Sequence, residues 1–308
     1  MSAGATSADY VAKVRAGRRP SPEEALAFLR AFHAAHPGIT AKAVTRYRTS
    51  EGQTSYELFA DRIARDARKE NAPARGVLDL ACGDGVLCVE IRRRTGDACA
   101  LVGVDTSVED LTLAAARVGS TRTRFLCEPA QRMSLAPASV DVVACHFALM
   151  LMNDAPAVVR EIARVLAPGG AFHALVPSRS SAARFTPKFE ALVSEVLARD
   201  VPAYPDLGLG DRALSTQDGI SSLFDARAGF GEVTFEHVPL RVDDTPAQSL
   251  ELVEGLYWFD MLTPESQARL RTEGRTILDL ACDGAGRVPG AFDLLLVRAP
   301  RLERITAS

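Results

Sequence analysis

A regular alternation of strand and helix patterns, beginning near residue 77, constrains the fold of this 308-residue chain more than any other feature. Short apolar runs bounded by turn residues predict strands, and apolar residues at helical spacing predict the helices between them. Such an alternation favours a parallel sheet with helices on both faces. The predicted strands are residues 76–81, 100–105, 123–127, 139–145 and 170–176, and the predicted helices are residues 85–95, 107–118 and 154–166.

The segments outside this alternation predict additions to a common core. "SPEEALAFLRAFHAAHPG", with Ser21 as an N-cap, and "SYELFADRIARDAR" predict two helices ahead of the first strand. The polar residues 1–20 predict a loosely held terminus. After residue 178 the alternation stops, until strand patterns return at residues 231–242 and 292–300 on either side of a long helical stretch from about 246 to 281.

These patterns together predict the fold class and its parts. We expect an α/β fold with a Rossmann-like, doubly wound and mostly parallel sheet, an N-terminal helical cap, and an inserted helical lid between strands 5 and 6. The expected parts are an N-terminal helical cap or lid over residues 1–70, a ligand-binding core over 71–177, an insert that caps the substrate over 178–230, and a C-terminal completion of the sheet with a long helix over 231–308.

Composition and charge narrow the class of partner. The net charge of −3 and pI near 6.0 argue against a nucleic acid or an anionic membrane as the main partner. No segment approaches the ~18 apolar residues that would cross a bilayer, and the first residues lack the pattern of a secretory signal. The six cysteines form no C-x-x-C pair, which fits a reducing cytoplasm and predicts no metal site. We expect a cytoplasmic monomer or homodimer.

The stretch "VLDLACGDGVL", from Val77 to Leu87, places an acid near the end of a strand and two glycines after it. In an open α/β sheet, ligands bind beyond the carboxyl ends of the strands. Gly83 and Gly85 allow a tight turn and close contact between a ligand and the backbone. The third glycine of the dinucleotide-binding motif G-x-G-x-x-G is absent, and the Asp79 carboxylate would repel a pyrophosphate. An acid this near the turn suits a cationic group such as an ammonium.

A second acid, Asp105, ends the next strand "ALVGVD", where a carboxylate can accept both hydroxyls of a ribose. The two acids together predict a ligand with ribose hydroxyls, no phosphate and a positively charged amino-acid end. S-adenosylmethionine has those parts. The alternatives for both acids are structural: Asp79 as a helix cap or turn-stabilising residue, and Asp105 as the cap of the helix at 107–118.

Four motifs, "VLDLACGDG", "LVGVDTS", "VDVVACHFAL" and "REIARVLAPGG", resemble the successive motifs of class I S-adenosylmethionine-dependent methyltransferases over about residues 55–177. The resemblance implies an enzyme that converts S-adenosyl-L-methionine to S-adenosyl-L-homocysteine. It also implies adenine contacts after the third strand, where Pro129 lacks an N–H and where Glu128 has a plain loop acid as its alternative. The cofactor-binding residues that the resemblance implies are Tyr56, Asp79, Ala81, Gly83, Gly85, Asp105, Thr106, Glu128, Ala130, Gln131 and His146.

Methyl transfer from a sulfonium is an in-line displacement, so the protein chiefly aligns the nucleophile, the methyl group and the sulfur. A general base is needed only if the nucleophile carries a proton of high pKa. His146, predicted at the rim of the fourth strand, is the first candidate for a catalytic base. Its alternative is a histidine hydrogen-bonded to backbone near the cofactor.

We expect the segments added to the common core to form the acceptor pocket. These segments would enclose the site more fully than an open groove. Aromatic residues Tyr47, Phe147, Tyr257 and Trp258 are candidate substrate contacts. Arg46 and Arg48 are candidates to receive a carboxylate of the acceptor or of the cofactor. We therefore predict a small organic acceptor with an oxygen, nitrogen or carbon nucleophile, and the Ala- and Arg-rich composition hints at natural-product biosynthesis. The first alternative is an enzyme of the same fold with non-methylating chemistry, such as cyclisation; a non-catalytic binding module and a nicotinamide oxidoreductase are further ones.

Overall fold

The computed structural model describes residues 6–68, 75–119, 122–178, 185–204 and 207–303, and its strands form one seven-stranded sheet. The strands are β1 (Val77–Leu80), β2 (Leu101–Asp105), β3 (Thr123–Cys127), β4 (Val140–His146), β5 (Leu166–Pro177), β6 (Thr234–Asp244) and β7 (Val288–Pro300). The helices before β1 are α1 (Ser7–Arg15), α2 (Pro22–Ala35), α3 (Ile39–Val44) and α4 (Ser55–Ala67). Those after it are α5 (Val86–Thr95), α6 (Val108–Val118), α7 (Ala155–Val165), α8 (Pro187–Asp200), α9 (Gln217–Leu223), α10 (Pro246–Glu254), α11 (Pro264–Arg269) and α12 (Arg275–Leu280).

The strand order is β3-β2-β1-β4-β5-β7-β6, which confirms the predicted Rossmann-like, mostly parallel sheet. Strands β1 to β5 run parallel to one another, whereas β7 runs antiparallel to both β5 and β6. The winding reverses at β1, which pairs with β2 on one side and β4 on the other. A ligand is therefore expected in the crevice at the carboxyl ends of these three strands.

Helices cover both faces of the sheet, as the alternation of patterns predicts. On one face Phe172 of β5 stacks on Phe224, with ring centroids 4.7 Å apart, and α7 and α9 complete that layer. On the other face α4 and α5 pack over residues such as Leu175, with Ile63 fully buried between them and the sheet. Strands β1, β2 and β4 are mostly apolar on both sides because both of their sides are buried.

Two predictions from the N- and C-terminal segments are wrong. Residues 1–5 of the predicted loose terminus lie outside the described residues, and residues 6–20 are not loosely held, because α1 buries Tyr10 and Val14 completely and the Tyr10 hydroxyl donates to the Leu207 carbonyl at 2.9 Å. The long helix predicted over about 246–281 is broken into α10, a short 3-10 turn and α11–α12, with a π-helical turn at Leu270–Gly274. The stretch "ILDLACDGAG" at 277–286, which is similar in sequence to "VLDLACGDG", lies in α12 and the turn that follows it.

One boundary inside the core also differs. The stretch "LAPGG" at 166–170 predicts the end of a helix, and α7 does end at Val165. Residues 166–170 then belong to β5, because the N–H groups of Ala138 and Ser139 bond to the last carbonyls of α7 and Val140 pairs with Leu166. The strand therefore starts directly at the helix end, and Gly169, with a positive φ of 72°, lies where the pairing with β4 shifts register between Leu166 and Ala171.

The helices predicted ahead of β1 begin where their capping residues lie. Ser21 caps α2 and Thr54 caps α4, and each makes a reciprocal capping box with the glutamate three residues later. Helix α2 packs against α6 of the core and belongs to an apolar cluster that it shares with α8 and the 253–262 segment. This arrangement places one end of α2 beside the carboxyl ends of the strands.

Candidate active site

A cavity lies beyond the carboxyl ends of β1, β2 and β4, where the reversal of winding predicts it. Its floor is made by the strand tips and the turns that follow them. Its cover is made by α2, by the start of α3 and by Tyr257. None of the described residues of the predicted insert, 178–230, lines it; that segment instead supports the wall from behind, where the Asp211 N–H donates to the Met152 carbonyl at 2.9 Å.

At the tip of β1, Asp79 is 1% exposed and lines the cavity. The thiol of Cys88 donates to its Oδ2, with 3.2 Å between the atoms. Burial, together with the nearby carboxylates of Asp105 and Asp84, raises the pKa of Asp79 to about 7. A buried acid that lacks a cationic partner is a ready acceptor for an ammonium group, whose charge would restore its ionisation.

The turn after β1 exposes backbone to the cavity. Gly83 has a positive φ of 49°, and a Cβ at that position would meet no atom within 4 Å, so the space above the turn is open. Ala81 also has a positive φ, 59°, at a position where such a conformation is uncommon for a residue with a Cβ. Gly85 lies elsewhere: a Cβ there would come within 2.8 Å of the Cβ of Ala114, so this glycine lets α5 pack on α6 and does not line the cavity.

At the tip of β2, Asp105 joins the two turns of the site. Its Oδ2 accepts the N–H of Gly83 at 2.8 Å, and its Oδ1 accepts the N–H of Ser107 at 2.9 Å. Each carboxylate oxygen keeps a further lone pair, so the group can also accept hydroxyls from a ligand. Thr106 lies beside it on the cavity wall.

The loop after β3 supplies the next part of the wall. Glu128, Pro129, Ala130 and Gln131 all line the cavity. The loop is fixed by side chains, since Glu128 accepts the N–H of Ser134 at 2.8 Å and Gln131 donates to the Asn153 carbonyl at 2.6 Å.

At the end of β4, the ring of His146 is held among aromatic side chains. Tyr56 stacks on it with centroids 4.0 Å apart, and Phe147 is tilted against it at 4.7 Å. Its Nε2 lies 3.1 Å from the hydroxyl of Ser55, which is fully buried at the start of α4. Burial lowers the pKa of His146 to about 3, so the imidazole is neutral near pH 7.

The predicted acceptor contacts divide into two pairs. Phe147 and Tyr257 line the cavity. Tyr47 and Trp258 do not: the fully buried Tyr47 donates to Asp244 at 3.1 Å, and the buried Trp258 packs in the apolar cluster behind α2. The spacing of aromatic residues in the sequence cannot separate these pairs, because neighbouring positions 257 and 258 point in different directions.

The two arginines that the sequence offers as carboxylate receptors are used elsewhere. Arg46 binds Asp244 at 2.9 Å and donates to the Gln248 carbonyl at 2.9 Å, which ties the segment before α4 to α10. Arg48 donates to the Tyr47 carbonyl at 3.1 Å, and its own backbone pairs with β6. Among the described residues, Arg30 of α2 is instead the arginine that lines the cavity.

The sequence predicts an N-terminal helical cap, but it does not indicate which residues of that cap line the cavity, and part of the acidic wall was also missed. Leu29, Arg30 and His33 of α2, Gly38, and the core acids Asp84 and Asp110 all line the cavity. Asp84 is paired with Arg117, 2.6 Å away. The signal in the sequence was the apolar face of α2, with two histidines near its end. An apolar face alone does not indicate which part of the molecule the helix packs against.

The described residues contain no cluster of three or more histidine, cysteine, aspartate or glutamate side chains that could hold a metal ion. In the same part of the chain, no helix is both long and apolar enough to cross a membrane. The site is thus built from carboxylates, open backbone, neutral imidazole and aromatic rings. This set fits a nucleoside that carries a cationic amino-acid end, and with the sheet order it defines a nucleoside-binding enzyme of the Rossmann-like class.

Comparisons with known proteins agree. A family model described as a methyltransferase domain matches residues 77–170. A ubiquinone/menaquinone biosynthesis C-methyltransferase of Caulobacter vibrioides is 29% identical over 195 residues, which cover 58% of this chain and 76% of that protein. A demethylmenaquinone methyltransferase of Mycolicibacterium paratuberculosis is 34% identical over 159 residues, which cover 50% and 66%.

The fold is similar to that of the YcgJ protein from Bacillus subtilis, with a TM-score of 0.51 and 17% identity over 80% of this chain and 99% of that one. The family model, the relatives and the fold together support a class I S-adenosylmethionine-dependent methyltransferase with S-adenosylmethionine as its cofactor.

Proposed function

We propose that this methyltransferase acts on a small, largely apolar organic acceptor that binds in the covered cavity beside His146 and Phe147. The single observation that carries the proposal is that α2 and Tyr257 line the cavity together with the strand tips and partly cover it. When bound, the cofactor supplies an activated methyl group on a sulfonium. The chain's own residues have to hold that group, orient the acceptor and exclude water.

The cofactor-holding residues follow from the site. We assign Asp79 to the ammonium of the methionine end, the Gly83 turn to the backbone contact, and Asp105 to the ribose hydroxyls. Arg30 is the permanent cation on the described wall and is assigned to the carboxylate of the methionine end. Thr106, Glu128, Ala130 and Gln131 are assigned to the adenine side, and Ala81, Tyr56 and His146 to the methionine side.

We assign the acceptor wall to the apolar and aromatic residues Phe147, Leu29, Ile39 and Met152, which line the cavity. Two acids that are not assigned to the cofactor, Asp84 and Asp110, line the cavity as well. Apolar walls with few polar groups are typical of small-molecule sites. The named relatives include C-methyltransferases of quinone biosynthesis, which favours carbon among the three candidate nucleophiles. A role in natural-product biosynthesis stays a prediction from composition.

His146 is better suited to positioning than to proton removal. A base with a pKa of about 3 holds a proton poorly near pH 7, so it contributes little to general-base catalysis. Its ring, fixed by Tyr56 and Ser55, instead gives the cofactor and acceptor a rigid neutral surface. An acceptor whose nucleophile is already activated, such as an ionised phenol or its ring carbon, needs no further base.

The test is a transfer assay with S-adenosylmethionine labelled in the methyl group and a panel of phenols, quinols, amines and isoprenoid alcohols. We expect label in one class of small acceptor, and a loss of transfer in Phe147→Ala with a dissociation constant for S-adenosylhomocysteine close to that of the unaltered protein. Label found only in protein or nucleic acid would contradict the proposed acceptor class. Consumption of the cofactor with no transferred label would instead favour the non-methylating alternative.

A further inference from the structure

Three residues from distant parts of the chain meet at the cover of the cavity. His33 lies near the end of α2, Asp110 lies in the first turn of α6, and Tyr257 follows α10. The Nε2 of His33 lies 3.0 Å from the Tyr257 hydroxyl, and its Nδ1 lies 3.7 Å from Oδ2 of Asp110. All three side chains line the cavity. We call this group the α2 latch.

The Asp110 carboxylate also holds the turn that follows α2. Its Oδ1 accepts the N–H of Gly38 at 2.9 Å, and it is only 3% exposed. Gly38 has a positive φ of 70°, and a Cβ there would lie 2.8 Å from Oδ2 of Asp84. The buried Asp110 carboxylate therefore holds the end of α2 to the core through two contacts, one with His33 and one with the N–H of Gly38.

The α2 latch lies on the nucleoside side of the cavity. The N–H of Asp110 donates to the hydroxyl of Ser107 at 3.1 Å, and the N–H of Ser107 donates to Oδ1 of Asp105 at 2.9 Å, so the latch lies beside the tip of β2. Asp105 is the residue assigned above to the ribose hydroxyls, whereas His146, at the methionine end, has no contact with the latch. Tyr257, predicted from the sequence as an acceptor contact, is thus better placed for the cofactor.

We propose that the α2 latch fastens α2 over the nucleoside of the cofactor and has to open before S-adenosylmethionine enters or S-adenosylhomocysteine leaves. This inference rests on the proposed cofactor site. Because α2 also carries Leu29 of the acceptor wall, the same closure completes that wall. His33 and Tyr257 are positioning residues, since they act by holding the helix in place.

The chain offers a matched control in His36. It lies one turn after His33 and also reaches the segment after α10, with its Nε2 3.3 Å from Asp260. Its side chain is 40% exposed, and it does not line the cavity. His36→Ala therefore removes a similar bond between the same two segments outside the site.

The test measures the dissociation rate of S-adenosylhomocysteine from the full chain by surface plasmon resonance. His33→Ala and Tyr257→Phe are each expected to raise that rate about fivefold, the effect of losing one hydrogen bond of ordinary strength. The dissociation rate of the double variant should be little higher than that of either single variant, because the two substitutions remove the same contact between His33 and Tyr257. His36→Ala is expected to stay within about twofold of the unaltered protein.

Hydrogen exchange of residues 22–35 gives a second measurement that does not depend on rate constants. S-adenosylhomocysteine should slow exchange in α2 of the unaltered protein and of His36→Ala, and much less in the two latch variants. Equal dissociation rates and equal protection in all four proteins would overturn the latch and leave the cofactor site standing. A failure of the unaltered protein to bind S-adenosylhomocysteine would instead overturn the cofactor site on which the latch depends.

Discussion

The carboxylate of Asp105 accepts the backbone N–H of Gly83, with 2.8 Å between the two atoms, and so joins the tip of β2 to the turn after β1. Its second oxygen accepts the N–H of Ser107 at the start of α6. One side chain therefore fixes the two turns that face the cavity. Such a pre-formed arrangement lowers the ordering that a ligand would otherwise have to impose when it binds.

Gly85 is predicted to serve stability more than binding. In Gly85→Ala the new Cβ would lie 2.8 Å from the Cβ of Ala114 and 2.9 Å from its Cα, on a residue with a φ of 79°. We expect a loss of about 1–3 kcal/mol in the free energy of unfolding, typical of overpacking, measured by urea denaturation. Gly119→Ala is the matched control, because Gly119 has a φ of 60° but no atom within 4 Å of such a Cβ. Equal losses in the two variants would show that conformation, and not the contact with α6, decides the effect.

Asp79 should make cofactor binding depend on pH. Its pKa in the free protein is raised to about 7, and an ammonium binds only the ionised form. The dissociation constant for S-adenosylhomocysteine should therefore rise as the pH falls below about 7, by up to about tenfold per unit. The pH dependence of folding stability has the opposite direction. In the free protein the raised carboxyl pKa of Asp79 contributes stability at low pH, and that stability is lost as the pH rises through about 7.

The measurement is calorimetry at several pH values, with Asp79→Asn as the comparison. The variant is expected to bind more weakly at pH 8 and to show no steep dependence between pH 6 and 8. A steep dependence that survives in Asp79→Asn would assign the titration to another group.

His146 should lower the stability of the protein in mild acid. Its folded-state pKa is lowered to about 3 from 6.5, so the unfolded chain binds a proton that the folded protein does not. The contribution of this group to stability is therefore complete above about pH 6.5 and declines as the pH falls toward 3. In His146→Gln the decline is expected to be shallower, measured as the free energy of unfolding in urea at pH 5 and pH 7. Parallel decline in both proteins would mean that His146 is not held neutral in the fold.

The strands and helices of the core could be predicted because the sequence signals that indicate them are local. The acids Asp79 and Asp105 follow apolar strands directly, and parallel strands bring their carboxyl ends to one edge of a sheet. Strand and helix positions in the core are therefore predicted within a few residues, and the floor of the cavity follows from them.

The side chains that cover the cavity could not be predicted beyond a general N-terminal cap, because they depend on how distant segments pack. His33 and Tyr257 are 224 residues apart, and nothing in either local sequence indicates that they meet. Trp258, next to Tyr257, turns into the apolar cluster instead of the cavity, and Arg46 pairs with Asp244 about 200 residues away. Residue type alone makes each of these side chains a candidate for the site, whereas tertiary packing decides which of them lines the cavity.

The most direct test of the cofactor site is the dissociation constant of S-adenosylhomocysteine for Asp105→Asn, measured by calorimetry beside the control Asp218→Asn at an exposed position on α9. The variant keeps the shape of the side chain and one oxygen for the Gly83 N–H, but it loses the oxygen that accepts the Ser107 N–H and the charge that strengthens bonds from ribose hydroxyls. We predict a rise of about tenfold or more, as expected for hydrogen bonds to a charged group, with a melting curve that shows the variant folded at the temperature of the binding measurement. A dissociation constant equal to that of the unaltered protein would contradict the account.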